Sequence, residues 1–148
     1  MSAPSGDPRA LCAEAREHLA SGKIAEAEQA ARQAMAADPQ MPQAHVLLGM
    51  ALTRSGSTSE GIEHLRKAVE LDPSSRTARA NLAIALERGG QERDALPLWR
   101  ELADDDPSDK RATEAAKRLA TRLGEPAPAA PPQAWDPLQD SGPVPPPP

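Results

Sequence analysis

The sequence predicts an all-α fold, a solenoid of antiparallel helix pairs followed by a disordered, proline-rich C-terminal tail. The chain is rich in Ala, Leu, Glu and Arg and has no Phe or Tyr, a composition that favours helices over strands. Ten of the 17 prolines lie in the last 24 residues, which sets a boundary near Gly124. A dipeptide that recurs every 34 residues marks the repeat: Asp38-Pro39, Asp72-Pro73 and Asp106-Pro107.

Each repeated unit has the order helix, glycine turn, helix and Asp-Pro stop. Gly22, Gly56 and Gly90 are also 34 residues apart and lie midway between the expected helices. Glycine readily adopts the left-handed conformation that ends a helix, and proline cannot continue a helix because it has no amide hydrogen. Asp7-Pro8 and Pro42 place a proline at the first position of a helix, where it is tolerated. Pro97 is expected early in the sixth helix, where it should also be tolerated because the first few amides of a helix have no intrahelical partner.

This order predicts seven helices, at about 8–21, 24–37, 42–55, 59–71, 76–89, 93–105 and 109–123. It also predicts the domain organisation, which begins with a disordered N-terminus at 1–7 and ends with a disordered proline-rich tail at 125–148. Three repeats and a capping helix lie between them, at 8–41, 42–75, 76–108 and 109–124. The last helix carries one apolar stripe, which suits a helix that covers the end of a solenoid.

The repeat resembles that of tetratricopeptide repeat proteins, whose 34-residue unit is a pair of antiparallel helices. The residues that match the family's pattern at its leucine, glycine, small, large and proline positions are Leu48, Gly49, Ala27, Ala95, Leu65, Trp99, Pro39, Pro73 and Pro107. The resemblance covers about residues 8–123. It implies a right-handed superhelical solenoid, in which Trp99 belongs to the core and the first helices of successive repeats line a concave groove.

The resemblance also implies which residues bind a partner, because the family's groove positions can be carried over. These candidates are Arg16, Val46, Met50, Arg54, Asn81, Ile84 and Arg88. The same stripe includes Cys12 and Thr53. Arg54 and Arg88 occupy equivalent places on adjacent repeats, and with apolar neighbours they would suit a peptide that has an apolar anchor and a carboxylate. The alternative is that both are ordinary solvated residues whose charge favours a helix end.

One subset of the family binds chaperone tails through a clamp for a terminal carboxylate. The clamp needs Lys and Asn in the first repeat, Asn in the second, and Lys and Arg in the third. The corresponding residues here are Cys12, Arg16, Leu47, Thr77 and Asn81. The clamp is therefore broken, and chaperone-tail binding of that kind is not expected.

The tail has an unusual apolar residue, Trp135, which with Leu138 forms a candidate docking motif. Its target would be either a partner or the chain's own groove. The alternative is that Trp135 is a tail residue without a role. The proline-rich composition predicts an extended arm.

Several classes of function find no support in the sequence. His18, His45 and His64 have no metal-ligand spacing, and no catalytic arrangement or phosphate-binding loop is present, so we expect no enzyme, no catalytic residue, no metal and no cofactor. The net charge of −5, without a basic stripe, argues against nucleic acid as a partner. No stretch approaches the ~18 apolar residues of a membrane span, so no membrane insertion is expected. The single Cys12 agrees with a reducing, cytoplasmic location.

The sequence therefore predicts a protein–protein interaction adaptor or scaffold that binds a partner peptide or helix in the concave groove. Two alternatives stay open. One is a small chaperone or secretion-type escort that shields a client segment. Such an escort would need an apolar groove. The other is a regulatory subunit of a larger assembly. The identity of the protein partner, and whether the repeats self-associate, are left open as well.

Overall fold

The computed structural model describes residues 6–125, and it contains seven helices in this range: α1 (Pro8–Ala20), α2 (Ile24–Ala37), α3 (Pro42–Ser55), α4 (Thr58–Leu71), α5 (Arg76–Arg88), α6 (Glu92–Asp105) and α7 (Lys110–Leu123). Each predicted helix end agrees with the structure to within one residue. The described range contains no strand. The tail motif of Trp135 and Leu138 lies outside it.

The helices pack as a row of antiparallel pairs. α1 packs on α2, α3 on α4, and α5 on α6, while α7 covers α6. The first helices of the pairs also meet, because α1 contacts α3 and α3 contacts α5. Each helix therefore touches only near neighbours in the chain, as expected of a solenoid.

The glycine turns have the backbone conformation that the sequence predicts. Gly22, Gly56 and Gly90 have φ values of 77°, 100° and 77°, and Gly124 ends α7 with φ of 69°. Asp7 is the cap of α1, since its side chain accepts a hydrogen bond from the Arg9 amide at 3.1 Å.

The expectation for Pro97 is wrong. α6 begins at Glu92, so Pro97 is its sixth residue and lies beyond the first turn. The missing amide hydrogen would have bonded the carbonyl of Arg93. Pro97 and Arg93 are both exposed, so water can reach the backbone at this point.

The core consists of two adjoining clusters of buried side chains. One lies between α1, α2 and α3, and the other extends from α3 to α7. Met50 is partly buried and packs against both clusters. Trp99 belongs to the second cluster, with 2% of its surface exposed, as the sequence predicts.

A histidine pair fixes part of the contact between α3 and α4. His45 is buried, and its Nε2 donates to the carbonyl of Pro39 at 2.8 Å. Its Nδ1 is then free to accept from Nδ1 of His64, at 3.3 Å. Burial, with the neighbouring His45 ring and Arg32, lowers the pKa of His64, while Glu60 and Glu63 act in the opposite direction.

The lowered pKa of His64 predicts that the protein loses stability as the pH falls. Below a pH of about 6.5, the ordinary value for histidine, the unfolded chain binds a proton at His64 before the folded chain does. This loss begins near that pH and continues down to the lowered pKa. We expect His64→Gln to reduce the drop in the urea midpoint between pH 7.5 and 5.5, measured by circular dichroism. An equal drop in the wild type and the variant would contradict the prediction.

Candidate functional site

The seven predicted groove residues line three adjoining cavities along the row of first helices. Arg16, Val46, Met50 and Arg54 line the first, of about 670 Å³. Met50, Arg54, Asn81, Ile84 and Arg88 line the second, of about 320 Å³. Ile84 and Arg88 also line the third, of about 650 Å³.

The three cavities form one continuous surface. Met50 and Arg54 line the first and second cavities, and Ile84, Arg88 and Arg111 line the second and third. We call this surface the first-helix groove, and we define it by the seven predicted residues together with Arg111. The structure thus brings together residues from α1, α3, α5 and α7.

The sequence prediction missed Arg111. The sequence predicts α7 only as a cap, but the side chain of Arg111 reaches the groove. The 34-residue register could have found it, because Gln43 and Thr77 are its equivalents in the second and third repeats and both line the first cavity. Extending the repeat by one helix would have placed Arg111 on the same wall.

The floor of the groove is apolar. Val46 has 7% of its surface exposed, while Met50 and Ile84 are half-buried. Each of these three side chains packs against the core below it. Packing against the core therefore holds the floor in place, and the floor retains apolar surface that a ligand could cover.

The rim of the groove is basic. Arg16, Arg54, Arg88 and Arg111 line it, and all four are exposed. Within residues 6–125, none of the four has a carboxylate partner within 4.0 Å, which is also true of Arg9, Arg66 and Arg93, whereas the other six arginines are paired. In a chain with a net charge of −5, the three cavities are thus lined by five arginines and three carboxylates, which gives this surface a net positive charge.

Arg54 has a structural contact as well. Its Nη1 donates to the carbonyl of Leu19 at 3.1 Å, at the end of α1. This carbonyl also accepts from the amide of Gly22 at 3.2 Å, so Arg54 is a second donor to it. The bond joins Arg54 to α1 and not to the end of its own helix, α3, so the helix-end alternative stays a prediction. The guanidinium of Arg54 has five N–H groups, so this one bond leaves donors for a ligand.

The acidic residues of the groove are partly occupied. Glu87 accepts from Nε1 of Trp99 and from Nη2 of Arg118, both at 2.6 Å. The guanidinium carbon of Arg111 lies 5.8 Å from the centre of the Trp99 ring. Asp72, at the other end of the groove, accepts from the Ser74 hydroxyl. Glu114 on α7 is exposed and reduces the positive charge there.

Asn81 and Thr53, which both line the second cavity, have side chains that already form hydrogen bonds. Asn81 donates from Nδ2 to the carbonyl of Thr77 at 2.9 Å, which leaves its amide oxygen as an acceptor. Thr53 is buried, and its hydroxyl donates to the carbonyl of Gly49 at 2.7 Å. Thr53 therefore contributes wall but no free hydroxyl.

The placement of Cys12 on the groove wall is wrong. Cys12 has 1% of its surface exposed, and its sulfur lies 3.6 Å from that of Met41. Burial raises the pKa of the Cys12 thiol. The reason is that α3 and the segment before it pack over this face of α1. Leu47, which like Cys12 occupies a clamp position, is also buried.

Two further findings concern the described residues as a whole. No group of three or more His, Cys, Asp or Glu side chains between residues 6 and 125 could hold a metal ion. In the same range, every helix is too short or too polar to cross a membrane.

Comparison with known proteins identifies the fold. Residues 12–76 match a family model described as a tetratricopeptide repeat. No curated protein matches the chain significantly.

Solved structures of this fold are similar to the chain over most of its length. The first TPR of Spaghetti (RPAP3), bound to the HSP90 peptide SRMEEVD, has a TM-score of 0.74 and 19% identity, over 80% of this chain and 94% of that one. The Arabidopsis OM64 TPR domain has a TM-score of 0.72 and 16% identity, over 77% and 94%. The TPR2B domain of yeast Sti1 in its pHsp70 complex has a TM-score of 0.70 and 18% identity, over 78% and 97%. At these identities the likeness establishes the fold alone.

Proposed function

Because the chain is built from tetratricopeptide repeats, we propose that it is a protein-interaction adaptor whose first-helix groove binds an acidic segment of a partner protein. The observation that carries this proposal is the pattern of the groove, in which four exposed arginines border an apolar floor. A segment with carboxylates and one or two apolar side chains would match both features.

The charges favour an acidic ligand for a physical reason. Arginine binds a carboxylate through two parallel hydrogen bonds, and it loses little hydration on doing so. Arg16, Arg54, Arg88 and Arg111 have no internal carboxylate to compete with the ligand within the described residues. Their field also speeds the encounter with an acidic partner. Since they are exposed, binding should weaken as salt rises.

The structural neighbours agree with a peptide ligand. The peptide held by the first TPR of Spaghetti contains two glutamates and an aspartate, together with Met and Val. The groove proposed here differs from a chaperone clamp, because three of its four arginines, Arg54, Arg88 and Arg111, lie outside the clamp positions. We therefore expect a different acidic segment from the terminal carboxylate that a clamp recognises.

The two alternatives fit the groove less well. An escort for apolar clients would bury its client on an apolar surface, whereas the rim of this groove carries four exposed arginines. A regulatory subunit would use the same groove on a fixed partner, and it would co-purify in a constant ratio. The proposal includes no catalytic step, cofactor or nucleic acid, and it places the protein in the cytoplasm, where Cys12 would stay reduced.

Charge reversal in the groove tests the proposal. We expect Arg16→Glu with Arg88→Glu to reduce partner capture from the native cell at least about tenfold, which corresponds to about 1.4 kcal/mol. Arg54 is left unchanged because it also holds the carbonyl of Leu19. Proteins retained by full-length protein would be quantified by mass spectrometry at two salt concentrations.

The matched control reverses two charges outside the groove. Arg66 on α4 and Arg93 on α6 are exposed and line none of the three cavities. Arg66→Glu with Arg93→Glu changes the net charge by the same amount and should leave capture within about twofold of the wild type. Equal capture by both double variants and the wild type would show that the basic rim is only solvated.

A further inference from the structure

The tail contains a segment whose chemistry matches the first-helix groove. The segment 133–140 reads QAWDPLQD, with two large apolar side chains, Trp135 and Leu138, and two carboxylates, Asp136 and Asp140. No Lys or Arg occurs anywhere in 125–148. These residues lie beyond the described range, so the match rests on their sequence.

The groove offers the complementary groups at its α5 and α7 side. Arg88 and Arg111 are exposed there, and neither has a carboxylate partner among residues 6–125. Ile84 and Met50 provide half-buried apolar surface beside them. The groove therefore combines two positive charges with apolar surface, and the tail segment combines two negative charges with apolar side chains.

The tail starts close enough to reach this part of the groove. Glu125 follows Gly124, the C-cap of α7, and its carboxylate pairs with Arg100 at 3.1 Å. Trp135 comes ten residues later, a distance of about 30 Å for an extended proline-rich chain. α7 has 14 residues and is about 21 Å long, and packed helices lie about 8–10 Å apart. A tail that turns back along α7 can thus bring Trp135 to Arg111, Ile84 and Met50.

We propose that the segment 133–140 occupies the first-helix groove of its own chain, with Trp135 and Leu138 against Met50 and Ile84, and with the two aspartates beside Arg88 and Arg111. This inference rests on the proposed function, since it uses the same groove as a binding surface. It adds that a partner must displace the tail.

Tethering makes such a contact effective even when it is weak. A segment joined by a short linker has an effective concentration of the order of millimolar at its site. Prolines restrict the free tail, so less conformational entropy is lost on docking. A contact with a millimolar Kd would then fill about half of the grooves, and a tighter one would fill most of them.

The environment of the Trp135 indole tests this proposal. Nitrogen-15 NMR of the full chain should show two indole signals, from Trp99 and Trp135, and Trp135→Ala identifies the second. We expect the Trp135 signal to differ from that of a synthetic peptide of residues 130–142. Arg88→Glu should move it towards the peptide position, while Arg93→Glu, as the control outside the groove, should leave it unchanged.

Three outcomes would overturn the proposal. The first is an identical Trp135 signal in the full chain and the peptide. The second is a Trp135 signal that differs from the peptide signal, does not change in Arg88→Glu, and returns to the peptide position in Ala116→Glu. This result would place the tail in the cavity between α6 and α7, which is lined by Ala103, Pro107 and Ala116. The third is a shift that depends on protein concentration, which would mean that the tail binds a second copy of the chain.

A capture experiment separates this proposal from the proposed function. Trp135→Ala with Leu138→Ala should increase capture of groove partners about twofold, because the competing tail is removed. If Trp135 does not dock and Arg16→Glu with Arg88→Glu still abolishes capture, only the tail inference fails. If Trp135 responds to Arg88→Glu and capture does not respond to charge reversal, only the adaptor function fails.

Discussion

Replacing Trp99 with alanine is expected to lower the free energy of unfolding by about 3–5 kcal/mol. Trp99 has 2% of its surface exposed and lies in the cluster that joins α3 to α7. Truncation removes a large apolar surface and leaves a cavity. It also leaves Glu87 without the indole donor that now lies 2.6 Å from its carboxylate. Since whole domains are stable by only about 5–15 kcal/mol, this is a large share of the total.

Urea unfolding followed by far-ultraviolet circular dichroism measures the loss, because it needs no tryptophan signal. Trp135→Ala is the matched control, since it truncates the same side chain in the tail, and it should cost less than about 1 kcal/mol. In a solenoid the damage should be greatest near the altered repeat. Hydrogen exchange should therefore rise more in α6 and α7 than in α1 and α2. Equal midpoints for Trp99→Ala and the wild type would show that Trp99 is not a core residue.

Replacing Gly49 with alanine is expected to destabilise the protein by about 1–3 kcal/mol, although alanine is the better helix former by about 1 kcal/mol. Gly49 and Gly61 face each other where α3 crosses α4. A Cβ atom at Gly49 would lie 2.5 Å from Cγ of Leu65 and 2.9 Å from the carbonyl oxygen of Gly61. The second neighbour is backbone, so the two helices would have to separate.

The sign of the change makes the Gly49 prediction decisive. Helix propensity alone predicts that Gly49→Ala stabilises the protein, whereas the helix contact predicts the opposite. Gln33→Ala, at an exposed position of α2, is the control and should change stability by less than about 0.5 kcal/mol. An increase in the urea midpoint of Gly49→Ala would refute the close contact between α3 and α4.

The helices were predictable because their limits depend on local chemistry. Glycine at positions 22, 56 and 90 takes a conformation that other residues avoid, and the recurring Asp-Pro ends each second helix. Since these signals act within a few residues, they can be identified without knowing which helices pack against each other. Pro97 is the exception among these local signals, because it lies inside α6 and does not end the helix.

The groove was predictable in outline because the repeat fixes which helix faces adjoin. All seven predicted residues line at least one of the three cavities, while their role in binding stays a prediction. The errors concern residues whose neighbours are far away in sequence. Cys12 is covered by Met41, and Arg111 reaches the groove from a helix that had been treated only as a cap.

The sequence by itself determined the number, order and limits of the helices and the register that aligns their faces, because a 34-residue period and local backbone preferences suffice for that. Only the tertiary structure decided which groove side chains form hydrogen bonds or ion pairs within the chain and which are exposed. Arg54 donates to Leu19, 35 residues away, and Glu87 joins Trp99 to Arg118. Such contacts depend on how the helices cross, and so does the balance of charge that makes the first-helix groove basic in an acidic chain.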